Sequence, residues 1–302
     1  MSHHTETGSG SAATLSADQP ISRTVNILQI PPASPNQALW EKGDFTRIAA
    51  TMRDSGEALV HSLGVRPGMR VLDLGCGDGT TAVPLAQGGA GVVGVDIARN
   101  LVAAGNRRAA ALGLDRLAFR EGDACNLGEI ATHTFDLTVS IFGAMFAPRP
   151  VDVARELVRV TKPGGRIVMG NWIPNDPTSF VSQVLKVSAA FTPPPPEGFI
   201  SPMTWGVESH IRERFGHAGV PADRIDLEKS TFTFLLRGTA TDFIALFRNY
   251  YGPTMNAYEA AHKAGRAEEL HRQLIALAES QGRTTDSGFA VTASYLRVTV
   301  RP

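Results

Sequence analysis

The chain has 302 residues, 43% of them hydrophobic and 19% charged, which suits a globular protein with a sizeable core. Its 29 basic and 29 acidic residues give a formal net charge of zero, which weighs against an extended polyanionic partner such as nucleic acid. No apolar run approaches the roughly 18 residues of a membrane span, and two cysteines, Cys76 and Cys125, suggest neither a disulfide scaffold nor a zinc cluster.

The opening "MSHHTETGSGSAATLSADQP" lacks the basic and apolar segments of a secretory signal. Residues 1–24 are expected to form a disordered tail, and His3 and His4 are too few for a metal site. A reducing cytoplasm is the expected setting. Helical spacing begins at "DFTRIAATMRDSGEALVHSLG", where Phe45, Ile48, Ala49, Met52, Leu59, Val60 and Leu63 share a face. Asp44 can cap this helix and Gly64 can end it. From about Met69 to Trp172, five apolar strands alternate with helices: "RVLDLGC", "GVVGVDI", "LAFREGDA", "FDLTVSIFG" and "RIVMGNW". That rhythm predicts a parallel α/β sheet covered on both faces.

The second half departs from it. Pro193–Pro196 form a stiff connector. "WGVESHIRERFGHAG" reads as an amphipathic helix and "RIDLEKSTFTFLL" as a strand. Two helices, "TDFIALFRNYYG" and "MNAYEAAHKAGRAEELHRQLIALAESQG", precede a last alternating strand, "FAVTASYLRVTV".

"VLDLGCGDGTTAV" (Val71–Val83) passes from strand through three glycines into helix. A dinucleotide loop needs G-x-G-x-x-G or A. Here Gly75 and Gly77 match, but Thr80 stands at the last position and Gly79 comes one residue early. Asp96 ends the second strand, about ~20 residues on, where a carboxylate can accept from both ribose hydroxyls. Asp123 follows the third strand, where it can accept from an adenine amino group, and the Ala124 N–H can meet a ring nitrogen.

Together, "VLDLGCGDG", "VVGVDIA", "EGDA", "FDLTVSIFGAMFAP" and "VTKPGGRIVMGNW" resemble the class I S-adenosylmethionine-dependent methyltransferases. The resemblance is nearest to the ubiquinone/menaquinone-type small-molecule enzymes and includes the "LWEKGDF" lead-in. It implies a Rossmann-like, doubly wound sheet of seven strands, mostly parallel with an antiparallel last strand, plus a helical lid from insertions. The expected layout is a single domain over 25–302. Its cofactor core spans about 40–172, 205–236 and 288–302, and its lid about 173–204 and 238–287.

The resemblance also implies roles. S-adenosyl-L-methionine is the expected cofactor and S-adenosyl-L-homocysteine its product. Gly75 and Gly77 let the backbone approach the methionine part, and Asp73 orients its amino group. Asp96 holds the ribose, Ile97 packs on adenine, and Asp123 and Ala124 read the adenine edge. Ser140, Ile141 and Phe142 line the methyl region, and Trp40 and Phe45 close the pocket.

Substrate candidates are Phe142, Met145, Phe146, Trp172, Trp205, Asn249, Tyr250 and Tyr251. No base is evident, and His210, His262, Tyr250 and Tyr251 are the catalytic candidates. Enzymes that methylate nucleobase or glutamine nitrogens carry an Asn/Asp-Pro-Pro-Tyr-like motif where this chain has Ser140-Ile-Phe-Gly. Ser140 and Asn171 occupy the strand ends that hold carboxylates in magnesium-dependent relatives, so no metal is expected. Cys76 and Cys125 read as small buried fillers.

The expected reaction is in-line methyl transfer to a small apolar or aromatic metabolite, driven by proximity and orientation. A protein or RNA methyltransferase, or a non-methylating S-adenosylmethionine-binding protein, remain the alternatives. The expected partner is a small-molecule substrate, with no nucleic acid and no membrane span. A homodimer is left open.

Overall fold

The computed structural model of the protein describes residues 34–302, besides Met1, so the tail expected at 1–24 lies outside the described residues. The strands are β1 (Arg70–Leu74), β2 (Gly91–Asp96), β3 (Leu117–Glu121), β4 (Phe135–Ile141), β5 (Thr161–Trp172), β6 (Ile225–Leu236), β7 (Gly282–Thr285) and β8 (Gly288–Val300). They form one sheet in the order β3-β2-β1-β4-β5-β8-β6, with β7 paired to β8. β1 to β5 run parallel, and β8 runs antiparallel to both β5 and β6. This is the Rossmann-like sheet that the resemblance implies, with one strand more. β7 escapes sequence reading because "GRTT" has no apolar alternation. It exists because Thr285 and Gly288 face each other across a tight turn, which extends the β8 ladder backwards.

Chain order along the sheet reverses between β1 and β4. The carboxyl ends of such strands diverge there and leave a crevice. Helices α3 (Arg53–Ser62), α4 (Ala82–Gln87), α5 (Arg99–Ala111) and α6 (Pro150–Val160) pack on the sheet, while α1 (Pro35–Glu41) lies against α5, α2 (Thr46–Ala50) against the later helices and α8 (Glu208–His217) against α6. Helices α7 (Phe180–Ala189), α9 (Ala240–Tyr250), α10 (Gly252–Lys263) and α11 (Ala267–Gln281) pack on one another. Phe180, Phe243 and Phe247 are fully buried between them. Among the described residues no helix is long and apolar enough to cross a membrane.

Two expected helices are broken, each for a local reason. The single helix expected over Phe45–Leu63 parts at Thr51. The Thr51 carbonyl accepts from the Leu235 N–H of β6 at 2.8 Å, and its hydroxyl bonds back to Ile48 O at 2.7 Å. A carbonyl engaged by a strand cannot carry the helical ladder onward. The expected helix over Met255–Gly282 parts at Gly265, whose φ of +67° ends α10.

Helix α1 buries no residue and is held by polar contacts. The Glu41 carboxylate accepts from Arg99 Nε at 2.8 Å, Nη2 at 2.7 Å and the backbone N–H at 3.0 Å. Gln37 donates to Glu121 at 2.9 Å, and Lys42 pairs with Glu259 at 2.7 Å. The Arg99 guanidinium holds the Glu41 carboxyl down to about 2. A carboxyl lowered on folding contributes stability above its ordinary range and loses it as pH falls toward the folded value. The clasp is therefore expected to loosen between about pH 4.5 and 2. Fluorescence of Trp40, which rides on α1, should report this transition. Glu41→Gln should lack it, and an identical acid transition in that variant would refute the clasp.

Candidate active site

The loop after β1 hangs on β2: the N–H groups of Gly75 and Cys76 both donate to Val95 O, at 2.7 and 3.2 Å. Asp96, at the end of β2, braces the same loop. Its Oδ2 accepts from the Gly77 N–H at 2.8 Å and its Oδ1 from the Ala98 N–H at 2.9 Å. Gly75 has φ +70°, and a Cβ there would sit 2.6 Å from Gly143 Cα, so the β1 and β4 loops touch backbone to backbone. Gly77 has φ +54°, and a Cβ there would meet nothing within 4 Å. The glycines thus serve two purposes, close packing at Gly75 and an open backbone face at Gly77.

This loop floors a partly open cleft. Its rim is set by Asn36 and Trp40 of α1, Phe45, and the β2, β3 and β4 ends with Asp96, Ile97, Asp123, Ala124 and Phe142. Asp78, Asp96 and Asp123 line it, and among the described residues no lysine, arginine or histidine does. Asp78 is paired with Arg53. Asp123 accepts from the Cys125 N–H at 2.8 Å and lies 3.6 Å from Arg149. Asp96 is raised by its burial, which the backbone donors Ala98 and Gly77 oppose. Asp73 sits beneath the loop, 2% exposed, with Oδ2 unpartnered among the described residues. Burial, then the Asp96 charge, push its carboxyl up to about 8. A cleft lined by three aspartates, with the orphaned Asp73 oxygen beneath it, offers hydrogen-bond acceptors to the hydroxyl and amino groups of a nucleoside.

The family model described as a methyltransferase domain matches residues 72–169. An uncharacterized protein of Mycobacterium tuberculosis is 34% identical over 230 residues, covering 76% of this chain and 81% of that one. A demethylmenaquinone methyltransferase of Beutenbergia cavernae is 41% identical over 115 residues, 38% of this chain and 45% of that one. The phosphoethanolamine N-methyltransferase 2 of Haemonchus contortus, solved with phosphomonomethylethanolamine and S-adenosylhomocysteine, is 17% identical and shares the fold with a TM-score of 0.54. That match covers 89% of this chain and 60% of the other.

The chain belongs to the class I S-adenosylmethionine-dependent methyltransferases. S-adenosylmethionine is the cofactor of this methyltransferase, and the acidic cleft fits it.

A second, smaller apolar space shares walls with the cleft. Trp40, Phe45, Met52, Phe142 and Phe146 line both spaces. Ile48, Trp172, Val181, Phe234, Phe247 and Tyr251 complete the second. Phe142 is its hinge: its φ is +63°, uncommon for a bulky residue, and its ring stacks on Trp172 at 3.6 Å and 7°. The Phe142 N–H donates to Gly170 O at 2.9 Å, which fixes that backbone against β5.

Several expected residues stand elsewhere. Asp73 and Ser140 do not line the cleft. The Ser140 hydroxyl is used within the fold, donating to Leu74 O at 2.7 Å and accepting from the Ala144 N–H at 3.0 Å. Met145 is core. Trp205 is buried beside Phe215 and the Arg214 guanidinium, beyond the β5 end. Asn249 is exposed, and Tyr250 is half-buried without lining either space. His210 lies on α8, which packs on α6, and His262 is exposed near the end of α10. Neither reaches the cleft or the cavity.

The Cys76 and Cys125 thiols are buried and raised by that burial, so both stay protonated. Among the described residues, no three His, Cys, Asp or Glu side chains converge to hold a metal. Asn36, Met52, Val181 and Phe234 line the two spaces without having been singled out for them from sequence.

Proposed function

We propose that this methyltransferase methylates a small, apolar or aromatic metabolite held in the second cavity. The observation that supports the reading is an aromatic space set directly against the cofactor cleft, with Phe142, Trp40 and Phe45 lining both. Gly75 and Gly77 would receive the methionine part of the cofactor, and Asp73 would influence its amino group from beneath. Asp96 would hold the ribose, Ile97 would pack on adenine, and Asp123 with Ala124 would read its edge. When bound, the cofactor supplies a methyl group already activated on a cationic sulfur. The protein's own share is to align the acceptor and keep water out, which the aromatic walls suit. Among the described residues no histidine or carboxylate lines the second space, which favours an acceptor that presents its nucleophile without a base from the protein.

The test is release of S-adenosylhomocysteine from the purified protein with a panel of uncharged aromatic phenols, ketones and quinols, run beside total tRNA and total cell protein. Release is expected with members of the aromatic panel. Release with tRNA or protein alone would overturn the reading.

A further inference from the structure

Charge is segregated between the two ends of the parallel strands. At the carboxyl ends, the cofactor cleft is lined by three aspartates. At the amino ends of β1, β4 and β5 lies a wide groove, lined by Arg66, Lys162, Arg166 and Arg301 against one carboxylate, Asp136. In a chain of zero formal net charge, four cations against one carboxylate is a marked local excess.

Three separate segments bring these cations together. Arg66 stands in the turn between α3 and β1, Lys162 and Arg166 on β5, and Arg301 just past β8. Ile167 pairs with Val300 across the β5–β8 ladder, which sets the backbones of Arg166 and Arg301 side by side. The one carboxylate is already engaged. Asp136 accepts from Lys162 Nζ at 2.5 Å and from the Arg70 N–H at 2.8 Å. Arg301 pairs with Asp226 at 2.5 Å, but both side chains are more than half exposed, and water weakens such a pair. Arg66 and Arg166 form no ion pair among the described residues. The Arg166 guanidinium is partly buried and donates to the Leu63 carbonyl at the end of α3. Burial, then the charges of Arg297 and Arg301, lower its pKa. Cations crowded in this way repel one another, and an anion seated among them relieves the repulsion.

We infer that this groove binds a compact, multiply charged phosphate compound, one that carries a diphosphate, through Arg66, Lys162, Arg166 and Arg301. Guanidinium forks match phosphate oxygens, and several converging forks select a compact group with several charges. An extended nucleic acid would call for a basic stripe along the surface, and this cluster is a single hollow. The groove lies at the far end of β1 from the glycine loop, so its ligand does not compete with the cofactor.

The test is calorimetry at fixed ionic strength, with the full chain saturated by S-adenosylhomocysteine and titrated with pyrophosphate, ADP or inorganic phosphate. One pyrophosphate per chain should bind, at least about tenfold tighter than inorganic phosphate. ADP bound as tightly as pyrophosphate would make the diphosphate alone the recognised group, and ADP bound tighter would make the ligand a nucleotide; either supports the site. Arg66→Gln/Arg301→Gln changes two exposed side chains and should leave the fold intact. It should weaken pyrophosphate binding at least about tenfold, with S-adenosylhomocysteine affinity unchanged. Arg107→Gln/Arg272→Gln removes the same charge from exposed positions elsewhere and should leave pyrophosphate affinity within about twofold. No saturable binding below about 10 mM, an equal loss in both double variants, or displacement of S-adenosylhomocysteine by pyrophosphate would each overturn the inference. So would tighter binding of a short single-stranded DNA, which would make the groove part of a nucleic-acid surface.

Discussion

Asp96→Ala is expected to weaken S-adenosylmethionine binding by at least about a hundredfold, with the fold intact. The side chain carries two loads. It accepts from the Gly77 and Ala98 N–H groups, which holds the loop and the start of α5 in register. Under the proposed assignment it also accepts from the ribose. Each bond to a charged group contributes roughly 1.5–3 kcal/mol, and losing even two exceeds a hundredfold. The substitution should also ease the Asp73 carboxyl back down, since the Asp96 charge is one cause of its elevation. Calorimetry with S-adenosylmethionine and S-adenosylhomocysteine gives the measurement, and circular dichroism checks the fold. Affinity within about threefold of wild type would sink the assignment.

Gly143→Ala is the second large effect. The backbone there has φ −94°, which any residue adopts, so strain at Gly143 itself contributes little. The added Cβ would stand 2.3 Å from Gly75 O and 2.6 Å from Gly75 Cα. Both obstacles are backbone, so neither can turn aside as a side chain would. Overpacking of this kind costs about 1–3 kcal/mol. A chain of this size should then melt lower by on the order of 5 °C. The displaced Gly75–Gly79 loop should lose cofactor affinity at the same time. Unchanged melting and unchanged affinity together would show that the two loops do not need this contact.

What could be read from the chain was what is encoded locally. Glycine spacing after an apolar strand placed Gly75 and Gly77, and strand ends placed Asp96 and Asp123, because each depends on neighbours a few residues away. The resemblance supplied Trp40 and Phe45. Met52 was readable only as a core face. It reaches the site because the helix breaks at Thr51, and that break is made by Leu235, far along the chain. Phe234 enters the cavity by the same route. Tyr250 and Tyr251 are adjacent, and no spacing rule says which turns inward; the stop imposed by Gly252 and Pro253 decides it. His210 and His262 looked plausible because a helical face can be recognised without knowing its neighbour. Ser140 sat at the right strand end, but its hydroxyl was needed to tie β4 to β1.

The wall shared by the two spaces has a thermodynamic consequence. Phe142, Trp40, Phe45, Met52 and Phe146 each belong to both, so any ordering of these rings by one ligand is already complete when the other arrives. Under the proposed assignment, donor and acceptor affinities would then be linked, and the linkage reciprocal: the factor by which the first tightens the second is the factor by which the second tightens the first. Because Phe142 holds its ring on a left-handed backbone, stacked on Trp172, that wall is stiff on the β4 side. Any cooperativity between the two ligands would then reside chiefly in the Trp40, Phe45 and Phe146 rings, and Trp40 rides on a helix that polar contacts hold to its surroundings.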